Sequence, residues 1–384
     1  MATNKIIKFI FSPLKGITIF LVSMVLLLPN QILSAQETRS IRDSTGRTVT
    51  IPATIKQIIC SGPGALRLVT YLNAQDLVVG VDNIEKRKTR FDARPYALVN
   101  PRFKNLPVFG GFRGHDDPEK ILGLHPLPQV IFKTFPTMGY DPVKLGKKTD
   151  IPVITLEYGD LFPNRKKLYA SLTILGQALA REDRAKAVID FFEAQIADLG
   201  NRTHGLAQEQ KKTCFIGGIA FKGPHGFQST EPKYPPFTFV NARNIARDTR
   251  GKNLRHSIFS KEKILMENPE ILFLDLSTLQ MGDDQGGLYE LKNDPVYKGL
   301  SGVINGKVYG LLPYNWYSQN FGSILANAWF IGKILYPDQF TDIVPEQEAD
   351  KIYSFLVAAP VFDRMNSLFR NLAFQPLNLK PDLK

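Results

Sequence analysis

The chain has few of the residues that build metal clusters. Among 384 residues there are 2 cysteines, 5 histidines and 2 tryptophans. Cys60 and Cys214 lie far apart in apolar, strand-like contexts, QIICS and KKTCFIGG, and the histidines are scattered. This spacing does not make a zinc or iron–sulfur cluster. A disulfide between them is one alternative in an oxidising compartment, but the apolar contexts favour two buried free thiols, one in each half of the chain.

The chain also lacks low-complexity tracts and a full-length membrane span. Its length predicts two domains. The apolar run ITIFLVSMVLLLP (17–29) is short of the roughly 20 residues that a span requires. Three lysines precede this run and Ala35 follows it, so residues 1–35 are predicted to be a cleaved secretory signal peptide, with an uncleaved anchor as the alternative. No cysteine follows before Cys60, so we expect a periplasmic protein without a lipid anchor.

Acidic residues are outnumbered by basic ones, and the formal net charge is +12. An exported protein rarely meets nucleic acid, so none is predicted as a partner. The charge favours an anionic ligand or an anionic membrane surface. A solvated basic surface without a specific partner is the alternative.

Strand and helix patterns alternate in both halves. KQIIC (56–60) and LVVGVD (77–82) flank the helical ALRLVTYL (65–72), and LPVFGG, PQVIFKT and IPVITLEYG continue the strands. From 163 to 204 there are only helical leucine spacings, and strands resume with CFIGGIAF. This alternation predicts an α/β fold with parallel sheets in two lobes around a helical bridge. One more pair of crossover helices inside a single sheet is the alternative.

The tetrapeptide Glu-Lys-Ile-Leu occurs twice, in EKILGLHPLPQVIF (119–132) and EKILMENPEILFLD (262–275). Each copy has a proline seven residues after its glutamate and then an apolar stretch. Proline ends a helix before the following strand begins. The tetrapeptide is also good helix sequence by itself. The shared proline offset favours two lobes related by an approximate two-fold pseudosymmetry.

The segments 51–82, 117–132 and 260–275, in this order around the helical bridge, resemble the periplasmic substrate-binding proteins of ABC importers for iron complexes (ferric siderophores) and corrinoids. The resemblance covers essentially the whole mature chain. It implies two Rossmann-like lobes with central, mostly parallel sheets, joined by a long backbone helix, with the ligand cleft between them. It implies a receptor without catalytic residues or a cofactor. The implied domains are a signal peptide (1–35), an N-terminal lobe (39–162), a helical linker (163–205) and a C-terminal lobe (206–384).

In that family each lobe exposes a glutamate in this helix, and the pair docks onto arginines of the two permease subunits. Carried over by position, these residues are Glu119 and Glu262. Carboxylates suit charge-assisted pairing with arginine, although the helix macrodipole also favours an acid near a helix start. The implied partner is an ABC permease dimer with its ATPase, and the receptor is expected to be a monomer.

In open α/β sheets, ligands bind beyond the carboxyl ends of the strands. That rule selects the loops SGPG, GGFRG, LEYGD, KGPHG and LPYNWYSQN, together with the long loop after CFIGGIAF. The candidate ligand-binding residues there are Arg67, Arg113, Tyr158, Lys222, His225, Tyr234, Tyr314, Trp316 and Tyr317. Arginine grips carboxylates, and aromatic faces cover the apolar parts of a chelate. Ordinary roles remain open, for example Arg67 on a helix surface and His225 in a turn.

These loops hold one histidine and few acids, unlike a site for free zinc or manganese. An anionic, pre-formed iron(III) complex such as a ferric siderophore is therefore the predicted ligand. A corrinoid, a haem or an oxyanion is the alternative. A chelatase or reductase, or a periplasmic sensor, would be a different class of protein. The sequence has no recognisable Ser-His-Asp motif, cofactor fingerprint or cysteine cluster, which argues against an enzyme.

Overall fold

The computed structural model describes residues 37–247 and 254–380. The predicted signal peptide lies outside these residues. The chain from Glu37 onward forms one compact unit. Within the described ranges, no helix combines the length and the apolar character that crossing a membrane requires.

The elements are numbered along the chain. The strands are β1 Thr38–Arg42, β2 Thr48–Pro52, β3 Ile58–Ser61, β4 Val78–Asp82, β5 Val108–Gly111, β6 His115–Asp116, β7 Val130–Thr134, β8 Val153–Leu156, β9 Thr213–Gly217, β10 Ser229–Thr230, β11 Arg243–Asn244, β12 Ser257–Ile258, β13 Ile271–Asp275 and β14 Val308–Leu311. The helices are α1 Ala65–Tyr71, α2 Pro95–Val99, α3 Pro118–Leu122, α4 Pro142–Thr149, α5 Arg165–Leu179, α6 Glu182–Thr203, α7 Pro235–Phe239, α8 Lys261–Glu267, α9 Gly286–Asn293, α10 Pro295–Lys298, α11 Ser301–Ile304, α12 Phe321–Leu335, α13 Pro345–Val357 and α14 Phe362–Leu368.

The first lobe contains a sheet of order β6-β5-β4-β3-β7-β8. All neighbours in it are parallel except the short edge pair β5 and β6. Strands β3 and β7 are buried along their whole length, because both faces of a parallel sheet are covered by crossover helices. The hairpin β1–β2 precedes this sheet and turns around Gly46.

The second lobe contains a parallel sheet of order β11-β9-β13-β14 and a small antiparallel pair, β10–β12. Its central strands β9 and β13 are almost entirely buried. Both lobes are therefore α/β with mostly parallel sheets, which confirms the predicted fold class. Cys60 in β3 and Cys214 in β9 are buried free thiols, one in each sheet, also as predicted.

Helices α5 and α6 stand between the two sheets in the chain order, where the sequence predicted the bridge. Phe192 of α6 packs edge-on against Tyr71 of α1 and Phe321 of α12, with centroids 6.3 and 6.0 Å away. The bridge therefore contacts helices that belong to different sheets. The domain boundaries drawn from the sequence stay a prediction.

The two lobes share one apolar core. A single cluster of buried side chains includes Ile58 and Phe132 of the first sheet and Phe273 and Leu311 of the second. Helix α13, near the C-terminus, packs against α1 and α2 of the first lobe. A shared core resists large hinge motion, because opening the lobes would expose apolar surface.

Each copy of the repeat forms a helix followed by a buried strand, α3 with β7 and α8 with β13. In both helices the isoleucine is fully buried (Ile121 and Ile264, 0% exposed). The glutamates Glu119 and Glu262 are both exposed. The two copies therefore have matching environments.

Candidate functional site at the junction of the lobes

The SGPG loop after β3 requires its glycines. Gly62 and Gly64 have φ angles of +86° and +81°, which other residues adopt at a cost. A Cβ atom on Gly64 would lie 2.2 Å from the ring of Tyr158, and one on Gly62 would lie 2.6 Å from the carbonyl oxygen of Thr134. The loop is thus shaped to let Tyr158 pack directly on the backbone.

Tyr158 is a buried wedge, 3% exposed. Its ring stacks between Phe135, 5.8 Å away, and Phe321, 5.1 Å away. Its hydroxyl donates to the carbonyl of Gln319 at 2.7 Å and accepts from Arg67. Tyr158 therefore ties the first sheet to the segment that follows β14.

Arg67 is 1% exposed, so it is not the surface helix arginine that was the alternative prediction. Its guanidinium donates to the carbonyls of Gln319 (2.8 Å), Trp316 (3.1 Å) and Tyr317 (3.2 Å). It reaches from α1 across to the loop 314–320, the predicted LPYNWYSQN site. Its terminal nitrogens are occupied by protein, and its role in binding a ligand stays a prediction.

Tyr317 joins the same loop to the first lobe from another direction. Its hydroxyl donates to the carboxylate of Asp82, at the end of β4, and accepts from the backbone N–H of Arg113 at 3.1 Å. Burial raises the pKa of Asp82 to about 7, and the hydrogen bond from Tyr317 opposes this shift. Sequence reasoning missed Asp82, although its place at the carboxyl end of a strand was a usable signal.

Two further residues of the loop 314–320, Trp316 and Asn315, contact other parts of the chain. Trp316 is half-buried, and its ring lies edge-on to Phe369 at 5.8 Å. The side-chain amide of Asn315 donates to the carbonyl of Ala220 at 2.8 Å. The loop 314–320 therefore contacts both the loop that carries Arg113 and the loop that follows β9.

Those two flanking loops carry the same local phrase, Phe-Arg-Gly and Phe-Lys-Gly. Arg113 and Lys222 are exposed and have φ angles of +63° and +59°, which are uncommon for residues other than glycine. Arg113 lies over the ring of Phe112 at 5.2 Å, and Lys222 lies over the ring of Phe221 at 5.5 Å. The exposed guanidinium of Arg87 lies over Phe112 as well, at 4.3 Å. Strained backbone of this kind clusters at functional sites.

A buried ion pair fixes the first of these loops. Lys133 of β7 is 0% exposed. Its ammonium donates to Asp116 at 2.6 Å, to Ser61 at 3.0 Å and to the carbonyl of Gly114 at 3.1 Å. The ammonium of Lys133 thereby fixes the carbonyl group of Gly114, the residue that follows Arg113. Lys133 lies inside a strand pattern, and nothing in that pattern indicated this role.

His225 lies next to a second histidine, His256, which was not among the candidate residues predicted from the sequence. The Nε2 atom of His225 lies 2.8 Å from the carbonyl oxygen of Phe221, and the Nε2 atom of His256 lies 2.8 Å from the hydroxyl of Ser229. The two imidazole rings are 5.3 Å apart. Burial, followed by the nearby charge of His225, lowers the pKa of His256. In residues 37–247 and 254–380, no three His, Cys, Asp or Glu side chains are grouped to hold a metal ion.

Tyr314 and Tyr234 lie behind the loops, in the core of the second lobe. They are 2% and 0% exposed. The hydroxyl of Tyr314 donates to Glu231, and that of Tyr234 accepts from the amide of Asn327 at 3.3 Å. Burial raises the pKa of Glu231 to about 8. Both phenols already have protein partners, and a ligand role for them stays a prediction.

The comparisons with known proteins agree with this architecture. The family model of the periplasmic binding proteins matches residues 58–314. The iron-uptake system-binding protein of Bacillus subtilis is 20% identical over 260 residues, which cover 59% of this chain and 79% of that protein. The uncharacterized ABC transporter substrate-binding lipoprotein YvrC of the same organism is 23% identical over 177 residues, or 46% of this chain. The chain spans about half (51%) of YvrC's length.

Solved structures share the fold. A periplasmic solute binding protein from Veillonella parvula superposes with a TM-score of 0.65 at 17% identity, covering 87% of this chain and 99% of that one. The molybdate-binding protein MolA of Haemophilus influenzae gives 0.63 at 18% identity, covering 84% and 98%. The haem-binding protein HutB of Vibrio cholerae gives 0.52 at 18%, covering 73% and 99%. At these identities the likeness extends to the fold alone.

The matched family consists of solute receptors for ABC importers and not of enzymes, as the sequence predicted. Its periplasmic character supports an extracytoplasmic location. The cleaved signal peptide and the missing lipid stay predictions, and one relative is named a lipoprotein. The family model covers residues 58–314, which is more than half of the chain. The chain belongs to the periplasmic binding protein family.

Proposed function

We propose that this chain is the extracytoplasmic receptor of an ABC importer and that it captures an iron(III) complex of the siderophore type. The observation that carries this proposal is the pair of exposed cation–ring loops, Phe112-Arg113 and Phe221-Lys222, one in each lobe. The name of the relative that matches over 79% of its length, an iron-uptake system-binding protein, supports iron.

The two loops flank a common surface. Arg113 meets the loop 314–320 through Tyr317, and the residue before Phe221 meets it through Asn315. A ligand that contacts both loops would have a cation and an aromatic face on each side, and the half-buried Trp316 lies in the loop that both of them contact. Cations attract the oxygens of an anionic chelate, and ring faces cover its apolar parts. A bare small cation would gain nothing from Arg113 and Lys222.

Haem is the second candidate, because His225 lies in the same loop as Lys222. Its ring is half-exposed and beside His256. A neutral imidazole can serve as an axial ligand of haem iron. Ferric chelates without an open coordination position would not use it.

Ligand titration with a spectroscopic readout tests the proposal. Trp316 is half-buried in the loop 314–320, whereas Trp329 is 2% exposed in α12, so quenching that Trp316→Phe abolishes reports on the loop. We expect an anionic ferric siderophore to quench this fluorescence and the double variant Arg113→Gln with Lys222→Gln to weaken its Kd by about tenfold. Lys263→Gln is the matched control, because Lys263 in α8 also lies over an aromatic ring, that of Phe259, outside the two loops.

Two results would contradict the assignment. The first is tight binding of haem, cobalamin or molybdate while ferric chelates leave the fluorescence unchanged. That result would show that the ligand is not a ferric siderophore. Equal losses in the Lys263 control and in the double variant would remove these loops from the site. His225→Ala separates the two leading candidates, since it should affect only haem binding.

We also propose that Glu119 and Glu262 dock the receptor onto its permease. Their support is the matched environment of α3 and α8, in which the glutamate is exposed beside a fully buried isoleucine. An isolated surface carboxylate adds little to stability, so folding does not require either of them.

Replacing both glutamates with alanine should leave the ligand Kd unchanged and reduce transport in reconstituted vesicles. Glu182→Ala is the control, since Glu182 is an exposed acid in the first turn of α6. Normal transport by the double variant, or a loss of ligand affinity, would refute the docking role.

A further inference from the structure

A cavity of about 640 Å³ opens at the edge of the second sheet. Its walls come from the segment before β9, the start of α7, and the edge strand β11 with the residues after it. Four cationic side chains line it: Lys211, Lys233, Arg243 and Arg247. Among the described lining residues there is no Asp or Glu, and amides and the rings of Phe162 and Phe237 complete the walls.

Lys211 is the unusual member of this set. It is 8% exposed, which is rare for a lysine without a partner. In the part of the chain that the structure describes, its ammonium has neither a hydrogen-bond acceptor nor a carboxylate within ion-pair distance. The ammonium nitrogen itself is not among the fully buried polar atoms, so it is accessible from the cavity and can pair with an anion that enters it.

The lining contains two further charges, those of Arg243 in β11 and Arg247 shortly after it. Both are exposed, and neither forms an ion pair with a described residue. Guanidinium groups bind phosphate oxygens through two parallel hydrogen bonds, and lysine adds a point charge. From this geometry we propose that the cavity binds a multiply charged phosphate group.

This cavity lies away from the strand-end loops of the candidate ligand site, although Tyr234, one of the candidates predicted from the sequence, is among its lining residues. Lys211 precedes the amino end of β9, whereas Lys222 and the loop 314–320 follow the carboxyl ends of β9 and β14. The volume lies within the roughly 300–1,000 Å³ of ordinary small-molecule pockets. It accommodates a phosphate ester or the head group of an anionic phospholipid, and both sources are available outside the cytoplasm. The proposal is independent of the iron-complex assignment.

Calorimetric titration of the purified chain with inorganic pyrophosphate tests the phosphate chemistry. Co-sedimentation with phosphatidylglycerol vesicles, against phosphatidylcholine vesicles, tests a lipid source. Lys211→Met keeps a buried side chain of similar length without its charge, and we expect it to weaken binding by about tenfold or more. Lys212→Met is the matched control, because Lys212 is the next residue and does not line the cavity.

Each outcome decides the matter. Pyrophosphate binding that depends on Lys211 supports a free phosphate ligand, and binding to phosphatidylglycerol vesicles alone supports a lipid head group. The double variant Arg243→Gln with Arg247→Gln should weaken either, and it avoids any change in the core. The proposal is overturned if neither probe binds, if Lys211→Met binds as the unmodified chain does, or if Lys211→Met weakens the ferric chelate equally.

Discussion

Replacement of Arg67 with methionine tests whether one buried guanidinium holds the loop 314–320 against the first lobe. Methionine keeps most of the volume and removes the hydrogen bonds, so the result isolates the polar contribution. Arg67 donates to Tyr158 and to the carbonyls of Trp316, Tyr317 and Gln319. Their loss should lower the free energy of unfolding and loosen the loop.

The size of the expected destabilisation depends on which of these carbonyls keep a second hydrogen-bond donor once Arg67 is replaced. The carbonyl of Gln319 keeps the hydroxyl of Tyr158, and that of Trp316 keeps the amide of Asn320 at 3.3 Å. Only the carbonyl of Tyr317 loses its one described donor. An orphaned buried carbonyl costs about 1–3 kcal/mol, and each weakened acceptor costs less. The carbonyl of Tyr317 is only part-buried, and removing the buried guanidinium offsets part of the loss, so we expect a net destabilisation of about 2 kcal/mol.

Urea denaturation measures the stability, and amide hydrogen exchange measures the loop. The N–H of Asn320 donates to the carbonyl of Tyr314 at 2.7 Å, so its protection reports on the closed loop. Arg39→Met is the matched control, since Arg39 also donates to carbonyls, those of Gln177 (2.7 Å) and Ala178 (2.8 Å) at the end of α5, and to none in the loop 314–320. We expect Arg39→Met to leave the exchange of Asn320 unchanged.

A loss below about 1 kcal/mol for Arg67→Met would refute the clamp, because that is the value of one ordinary hydrogen bond. Equal exchange at Asn320 in the two variants would refute it as well. Arg67→Lys should be intermediate, since lysine keeps the charge and loses the fork of donors.

Three further changes have defined outcomes. Glu231→Gln should match the unmodified chain in urea denaturation at pH 5. Because burial raises the pKa of Glu231 to about 8, folding favours its protonated form, and this stability is lost as the pH rises from about 4.5 to 8. At pH 8 the glutamine variant should therefore be more stable by on the order of 3 kcal/mol. Gly64→Ala should destabilise the fold by about 2 kcal/mol or more, measured by thermal unfolding, because its Cβ would meet Tyr158 in a left-handed backbone. Trp316→Ala should weaken ligand binding by about 1–3 kcal/mol in calorimetry, and an unchanged Kd would move the site elsewhere.

The sequence predicted those features that have a local periodicity. The strands of the two sheets and the helix–strand phrase of Glu119 and Glu262 follow from spacing within about ten residues. The contacts of Arg67 could not be predicted, because its acceptors lie some 250 positions along the chain. The same holds for His256, which approaches His225 only after the second lobe has folded. Tyr314 shows a different limit, since an aromatic residue at a strand end fits the core as well as a site.

The repetition of Phe-Arg-Gly and Phe-Lys-Gly is not explained by the pseudosymmetry of the lobes. In the first sheet the strand after the repeat helix, β7, pairs with β3, and in the second sheet the corresponding strand, β13, pairs with β9. The loop after β9, with Lys222, therefore corresponds to the loop after β3 and not to that after β5, which carries Arg113. Two non-equivalent loops have reached the same strained cation–ring arrangement.

Contact with one ligand explains why the two loops have the same arrangement better than descent from one repeated segment does. If one anionic ligand contacts both cations, Arg113→Gln and Lys222→Gln should each weaken its binding, and the double variant should weaken it further than either single. Arg113→Lys and Lys222→Arg should retain most of the affinity, since each keeps the charge. Calorimetric Kd values for the two singles and the double decide the point: if either single variant leaves the Kd unchanged, the common ligand between the loops would have to be abandoned.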